Sequence, residues 1–196
     1  LATLKALRRR GFHPEALRQI IIDIGPKPSD ITVSFENLSS YNRKLVDSSA
    51  DRFFFIPNPK RIIIKNMKLK TAKIPLHPEK DHGYRTFALS NTFFIDDKDF
   101  DAYKSLEVRL KDLCNIKLGN ISEFTGTELK AVPKIQWVPA RHLSVRIIMP
   151  RGEIKGYAET NLSKVKPGSV VQFERFGFVR IEKTGRKNII AVFGHE

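Results

Sequence analysis

The sequence predicts a mainly β protein that opens with an α-helical subdomain. Three observations carry that expectation. Before residue 51, apolar residues recur at helical spacing between capping signals. After it, short apolar runs return at roughly 8–12-residue spacing with turn residues between them, which suggests small closed or partly closed barrels. The stretch VVQFERFGFVRIEK, Val170 to Lys183, alternates as a strand and then slips phase, the mark of a bulge or tight turn.

The elements follow in order. LATLKALRRRG places Leu1, Leu4 and Leu7 near one helical face and stops at Gly11. HPEALRQIIIDIG has Pro14 where a helix start tolerates it and ends at Gly25. Ser34 is an N-cap for a third helix with Leu38, Tyr41 and Leu45 on its face. RFFFIPNPKRIIIKN reads as strand–turn–strand around Pro57-Asn58-Pro59. Further strands are expected at 85–89, 92–95, 105–110, 134–138, 142–149, 154–158, 169–174, 176–183 and 187–193, with one helical turn at KDFDAYK and a hairpin turn at KTGRKN. No internal repeat or low-complexity segment is visible.

The chain has 196 residues, 41% hydrophobic and 29% charged, enough for one large domain or two to three small ones. One cysteine, Cys114, excludes an internal disulfide and suits a reducing compartment. No apolar run approaches the roughly 18 residues of a membrane helix. The opening residues lack the charge order of a signal peptide and an initiating methionine, so the chain reads as part of a longer protein. The net charge of +14 is spread evenly, +3, +4, +3 and +4 over residues 1–50, 51–100, 101–150 and 151–196. An evenly basic folded chain suggests an extended anionic partner, with nucleic acid ahead of a surface kept basic for solubility.

Catalytic patterns are missing. His77 and His82, with Glu79 and Asp81 between them, lie in a loop-like LHPEKDHG without soft ligands, so no metal is expected. Cys114 reads as a small core residue. There is no nucleophile elbow and no glycine-rich phosphate loop. The positive signal is basic residues interleaved with apolar ones: six between Lys60 and Lys73 with no acidic residue, Arg109 and Lys111 opposite Val108 and Leu110, and Arg141, Arg146 and Arg151 around an apolar strand. Each alone reads equally well as a solvated barrel face. Together they suggest a shared surface where arginine forks meet bases and lysines neutralise phosphates.

These residues, in this order, resemble a known family. LRRRG, PEALRQ, NRKLVD, DRFFFIPNP, HPEKDHG, FFIDDKDF, VRLKDLCN, IQWVPARHLSV and VVQFERFGFVRIEK are similar to the portion that follows the catalytic domain in archaeal-type glutamyl-tRNA synthetases and their glutaminyl relatives. LKALRRRG and NRKLVD look glutamyl and archaeal. The resemblance implies a helical connector at 1–50 and two consecutive small β-barrels, the first discontinuous: a proximal one from 51–76 and 162–196, and a distal one from 77–161. It implies tRNA as partner, for glutamate and in non-discriminating relatives also for glutamine, and a cytoplasmic monomer not bound to membranes. Residue by residue, Arg52 falls near the third anticodon base and Arg109 near the first, and Lys111 is expected among the anticodon contacts. Gln172 and Arg175 fall on the central uridine. Arg8, Arg9, Arg10, Lys68 and Lys70 fall on the tRNA backbone. Trp137 and His142 read as structural. At Glu79 the chain offers a carboxylate where the glutaminyl relatives have asparagine. The family's catalytic motifs are absent, so the segment alone is expected to be inactive. ATP and magnesium would act in the parent ligase, outside this chain. The alternatives are the same region of a glutaminyl-tRNA synthetase, or a non-enzymatic structural RNA-binding barrel.

Gln172 offers a uracil edge both a donor and an acceptor, and the phase slip frees Arg175 from the buried face. Glu174 is expected to orient Arg175 or point to solvent, and the phenylalanines to fill a barrel.

Overall fold

The computed structural model describes residues 3–26 and 32–196, so Leu1 lies outside the described residues. Three helices come first: α1 (Leu4–Arg9), α2 (Pro14–Ile24) and α3 (Phe35–Val46). Their starts are as the sequence predicts. Thr3 and Ser34 cap α1 and α3 through their hydroxyls, and His13 Nδ1 accepts from Glu15 N–H ahead of Pro14. The face of α3 differs from the expected one. Leu38, Asn42 and Val46 are buried, while Leu45 is 40% exposed.

Asn42 earns its burial through three partners. Its Oδ1 accepts from His13 N–H at 2.7 Å, and its Nδ2 reaches Gly11 O and His195 Nε2, the latter at 2.8 Å. The ring nitrogen facing Asn42 therefore accepts, and His195 Nδ1 donates to Glu196 O at 2.9 Å. Burial, with Arg43 and Arg10 adding to it, holds the His195 pKa below the usual histidine range. The folded state thus resists protonation that the unfolded chain accepts. The stability this group contributes is present above about pH 6.5 and is lost as pH falls below it toward the depressed folded value. Thermal melts from pH 7.5 to 5 are expected to show a steeper acid loss for the wild type than for His195→Phe. Parallel curves would contradict this.

The strands are β1 (Arg52–Phe53), β2 (Phe55–Ile56), β3 (Pro59–Lys65), β4 (Thr71–Pro75), β5 (Tyr84–Ala88) and β6 (Thr92–Asp96), then helix α4 (Asp97–Tyr103). They continue with β7 (Glu107–Leu110), β8 (Cys114–Lys117), β9 (Ile121–Gly126), β10 (Lys134–Ile135), β11 (Val138–Pro139), β12 (His142–Ile148) and β13 (Glu153–Glu159). After a 3-10 turn at Thr160–Lys164 come β14 (Val170–Phe173), β15 (Gly177–Thr184) and β16 (Asn188–His195). Two seven-stranded sheets form, ordered β1-β14-β15-β16-β12-β13-β2 and β10-β7-β8-β9-β3-β6-β11, with β4 and β5 as a separate hairpin. In each sheet the two edges are successive pieces of chain, so each curls toward itself. One is nearly closed and the other is a half-barrel. Phe54 interrupts the first seam and Gln136-Trp137 the second.

Sheet membership departs from the expected division at 51–76, 77–161 and 162–196. The hairpin of β12 and β13 pairs with β16 and β2, and so belongs with the C-terminal strands. Strand β3 pairs with β6 and β9 instead. The cause is the Pro57-Asn58-Pro59 corner, which passes the chain from one sheet to the other. The unbroken apolar run before it then makes sense. Phe53 and Phe55 fill one core, and Phe54 and Ile56 fill the other.

Candidate nucleic-acid interface

The slip in VVQFERFGFVRIEK is a hairpin. Phe173 pairs with Gly177, leaving Glu174, Arg175 and Phe176 as the loop. Arg175 takes a left-handed φ of 60° and Gly177 a φ of 131°. A Cβ at Gly177 would stand 2.6 Å from His195 O, so only glycine fits. A bulge after Phe178 then exchanges faces. Phe178 packs beneath Val46 and Ala50 of the helical part, while Val179 and Ile181 enter the barrel. Phe173 and Phe176 fill the barrel against Phe55, as expected.

The loop is clasped from the β4–β5 hairpin and from the other sheet with its helix α4. Glu174 accepts from Arg85 Nη2 at 3.2 Å and pairs with Lys111 Nζ, and its carbonyl accepts from Gln136 Nε2 at 2.7 Å. It therefore neither orients Arg175 nor points to solvent. Arg175 is held by Asp99 of α4, Nη1 donating to Oδ2 at 2.7 Å and Nη2 to Oδ1 at 2.9 Å. These bonds raise the guanidinium pKa further, so its charge is permanent. Beside it lies a cleft of about 240 Å³ bordered by Pro57, Lys98, Asp99, Gln136, Arg175 and Phe176. Behind the clasp, Arg85 and Glu159 form a fully buried pair, and Glu159 also accepts from Phe54 N–H and Asn161 Nδ2. Desolvation pushes the Glu159 pKa up against these donors. The donors match the anion, and we take it as ionised.

Arg52 and Gln172 are neighbours in register on the parallel strands β1 and β14. Both are half-buried, and each carries a buried polar atom without a partner, Nε of Arg52 and Oε1 of Gln172. Arg52 otherwise reaches Asp47 only at 3.4 Å. Such orphaned atoms cost free energy in the unliganded chain and mark a place where a ligand would supply partners.

Other expected contacts are placed differently. Arg109 lies opposite Val108 and Leu110, but the 127–128 segment covers it. Its Nη1 donates to Asn115 Oδ1, Thr127 O and Glu128 O. Arg9 pairs with Glu182, and Arg10 donates to Phe193 O and Gly194 O while packing over Phe35, so both hold the helices on the barrel. Arg8, Lys68 and Lys70 are exposed. His77 Nδ1 accepts two backbone N–H groups, and His82 meets Asp51. Burial lifts the Cys114 thiol to about 11. Among the described residues no group of three or more His, Cys, Asp or Glu could hold a metal ion. Sequence reading missed Arg85, Asp99, Gln136 and Glu159. Their signal was a charged or amide residue at a strand or helix position whose neighbours are core residues.

Residues 50–134 match the family described as tRNA synthetases class I (E and Q), anti-codon binding domain, and residues 134–182 match a second family of the same description. The chain belongs to these class I anticodon-binding domains. It is 40% identical to a glutamate–tRNA ligase of Pyrococcus furiosus, 37% to one of Methanosarcina mazei and 36% to one of Methanocaldococcus jannaschii. In each case all of this chain is covered, and it spans 36–37% of the relative's length. The two matched spans contain the whole clasp, Arg85, Asp99, Lys111, Gln136, Glu174 and Arg175, together with Arg52 and Gln172. Arg8, Arg9 and Arg10 precede it.

Proposed function

We propose that this chain reads the anticodon of glutamate tRNA as part of a longer glutamate–tRNA ligase. The observation that carries this is the junction of the two sheets. There Arg175 stands beside a cleft, and on β1 and β14 of the first sheet, which lead to it, Arg52 and Gln172 hold unpartnered polar atoms. An unstacked uracil presents one N–H between two carbonyls. The Gln172 amide supplies an acceptor and a donor to that edge, and Arg175 adds a charged donor. Arg52 addresses the third anticodon base, where acceptance of glutamine tRNA would be decided. Arg109 and Lys111 support the first-base side by holding the 127–128 segment and Glu174. Arg8, Lys68 and Lys70 meet phosphates. The chain acts as a monomer in the cytoplasm. Among the described residues no helix is long and apolar enough to cross a membrane. Ligation with ATP and magnesium belongs to the longer protein.

Binding to glutamate tRNA tests the proposal. If about six phosphates are neutralised, log K should fall against log salt with a slope of roughly −4, using the single-strand coefficient. A transcript with an unrelated anticodon should bind at least about ten-fold more weakly. A flat salt response, or equal affinity for ribosomal RNA, would favour a structural RNA-binding barrel.

A further inference from the structure

Asp99 holds the arginine proposed to read a base, yet it is itself too buried to meet RNA. Its side chain is 8% exposed, while that of Arg175 is 56% exposed. The pair is end-on, using one N–H of each terminal nitrogen. Nε–H and the remaining terminal N–H groups stay outside it. A planar fork held at two points has its plane fixed, so the free two-donor edge on its Nε–H side keeps one direction. The other nearby acid on the loop, Glu174, is engaged by Arg85 and Lys111 and is not available for this task. Asp96 adds only longer-range attraction. The ordering of a long side chain, normally a cost of binding, is already met before RNA arrives.

Resting on the function proposed above, we propose that Asp99 is a positioning residue for anticodon discrimination. It sets the Arg175 guanidinium plane so that the free edge of the fork addresses the central base. It contributes to selectivity at that base and little to general RNA affinity.

The test compares glutamate tRNA with the same transcript carrying cytidine at the central anticodon position. Both are titrated against this chain and its Asp99→Asn variant, with melting curves of each. Asp99→Asn is expected to lower the discrimination ratio by roughly ten-fold. Affinity for the cytidine transcript and the salt slope should stay within about two-fold. Asp99→Glu, which keeps the charge on a longer arm, should give an intermediate ratio and serves as the readout if the Asn variant melts too low. An unchanged ratio with a lowered melting temperature would make Asp99 a mere staple between the sheets and overturn the inference. Tighter binding of both transcripts would do the same, making Asp99 a competitor for the fork. A wild-type chain with no discrimination would overturn the reading of the site itself, so the two failures are distinguishable.

Discussion

Replacing Arg85 by methionine is expected to cost about 3–5 kcal/mol of folding stability, the range for breaking one side of a buried ion pair. Glu159 has no exposed surface, so the variant would leave its carboxylate with Phe54 N–H and Asn161 as its remaining donors. The damage would spread, because Phe54 interrupts one barrel seam while its ring lies in the other barrel's core, against Trp137. Arg85 also supports Glu174, which holds Lys111. Burial raises the Glu159 pKa, and without Arg85 that effect is unopposed by charge. A carboxyl with a raised folded pKa keeps its proton in the fold after the unfolded chain has lost it. The variant's stability should therefore fall as pH rises above the unfolded value of about 4.5 and go on falling until the raised folded value is passed. Urea unfolding followed through Trp137, the chain's single tryptophan, measures this. The pair Arg85→Met with Glu159→Gln should recover more than half of the loss. A deficit below about 1 kcal/mol would place this pair with exposed ones and sink the idea of a charged strut between the β4–β5 hairpin and the first sheet.

Replacing Gln172 by methionine should separate stability from function. Methionine keeps the length and shape of the side chain and removes an acceptor that has no partner. Relief of that desolvation is expected to stabilise the free chain by about 1 kcal/mol. The same change removes the groups proposed to meet uracil, and discrimination at the central base should fall by about 1–3 kcal/mol. Opposite signs in the two measurements are the mark of a residue retained for a ligand. A less stable variant, or an unchanged preference for uridine, would contradict its role.

Much of the fold was legible because its signals are local. The cap at Ser34, Pro14 in the first turn of α2, the glycine stops and the turn at KTGRKN all act within a few residues, and each stands where expected. The strands β4 and β9 were not foreseen. Thr71–Pro75 and Ile121–Gly126 alternate in burial, but their covered faces carry weak hydrophobic signals such as Ala72, Ser122 and Gly126, while Ile121 is exposed. Sheet membership was not legible for a non-local reason: β12 joins β16 across roughly 40 residues of sequence. The site shows the same split. The loop at Glu174-Arg175-Phe176 was visible as a phase slip. The partners that hold it come from distant segments, and no spacing rule links Asp99 to Arg175 or Arg85 to Glu159. Arg109 illustrates the converse. Its strand face was read correctly, but the segment that covers that face lies 18 residues away.

The most direct measurement places 4-thiouridine at the central anticodon position of glutamate tRNA and maps the photo-crosslink on this chain. A crosslink within residues 170–176, or at Gln136 across the cleft, is the expected result. Efficient crosslinking confined to the helices at 4–46, with the RNA fully bound, would contradict base reading at the junction of the two sheets.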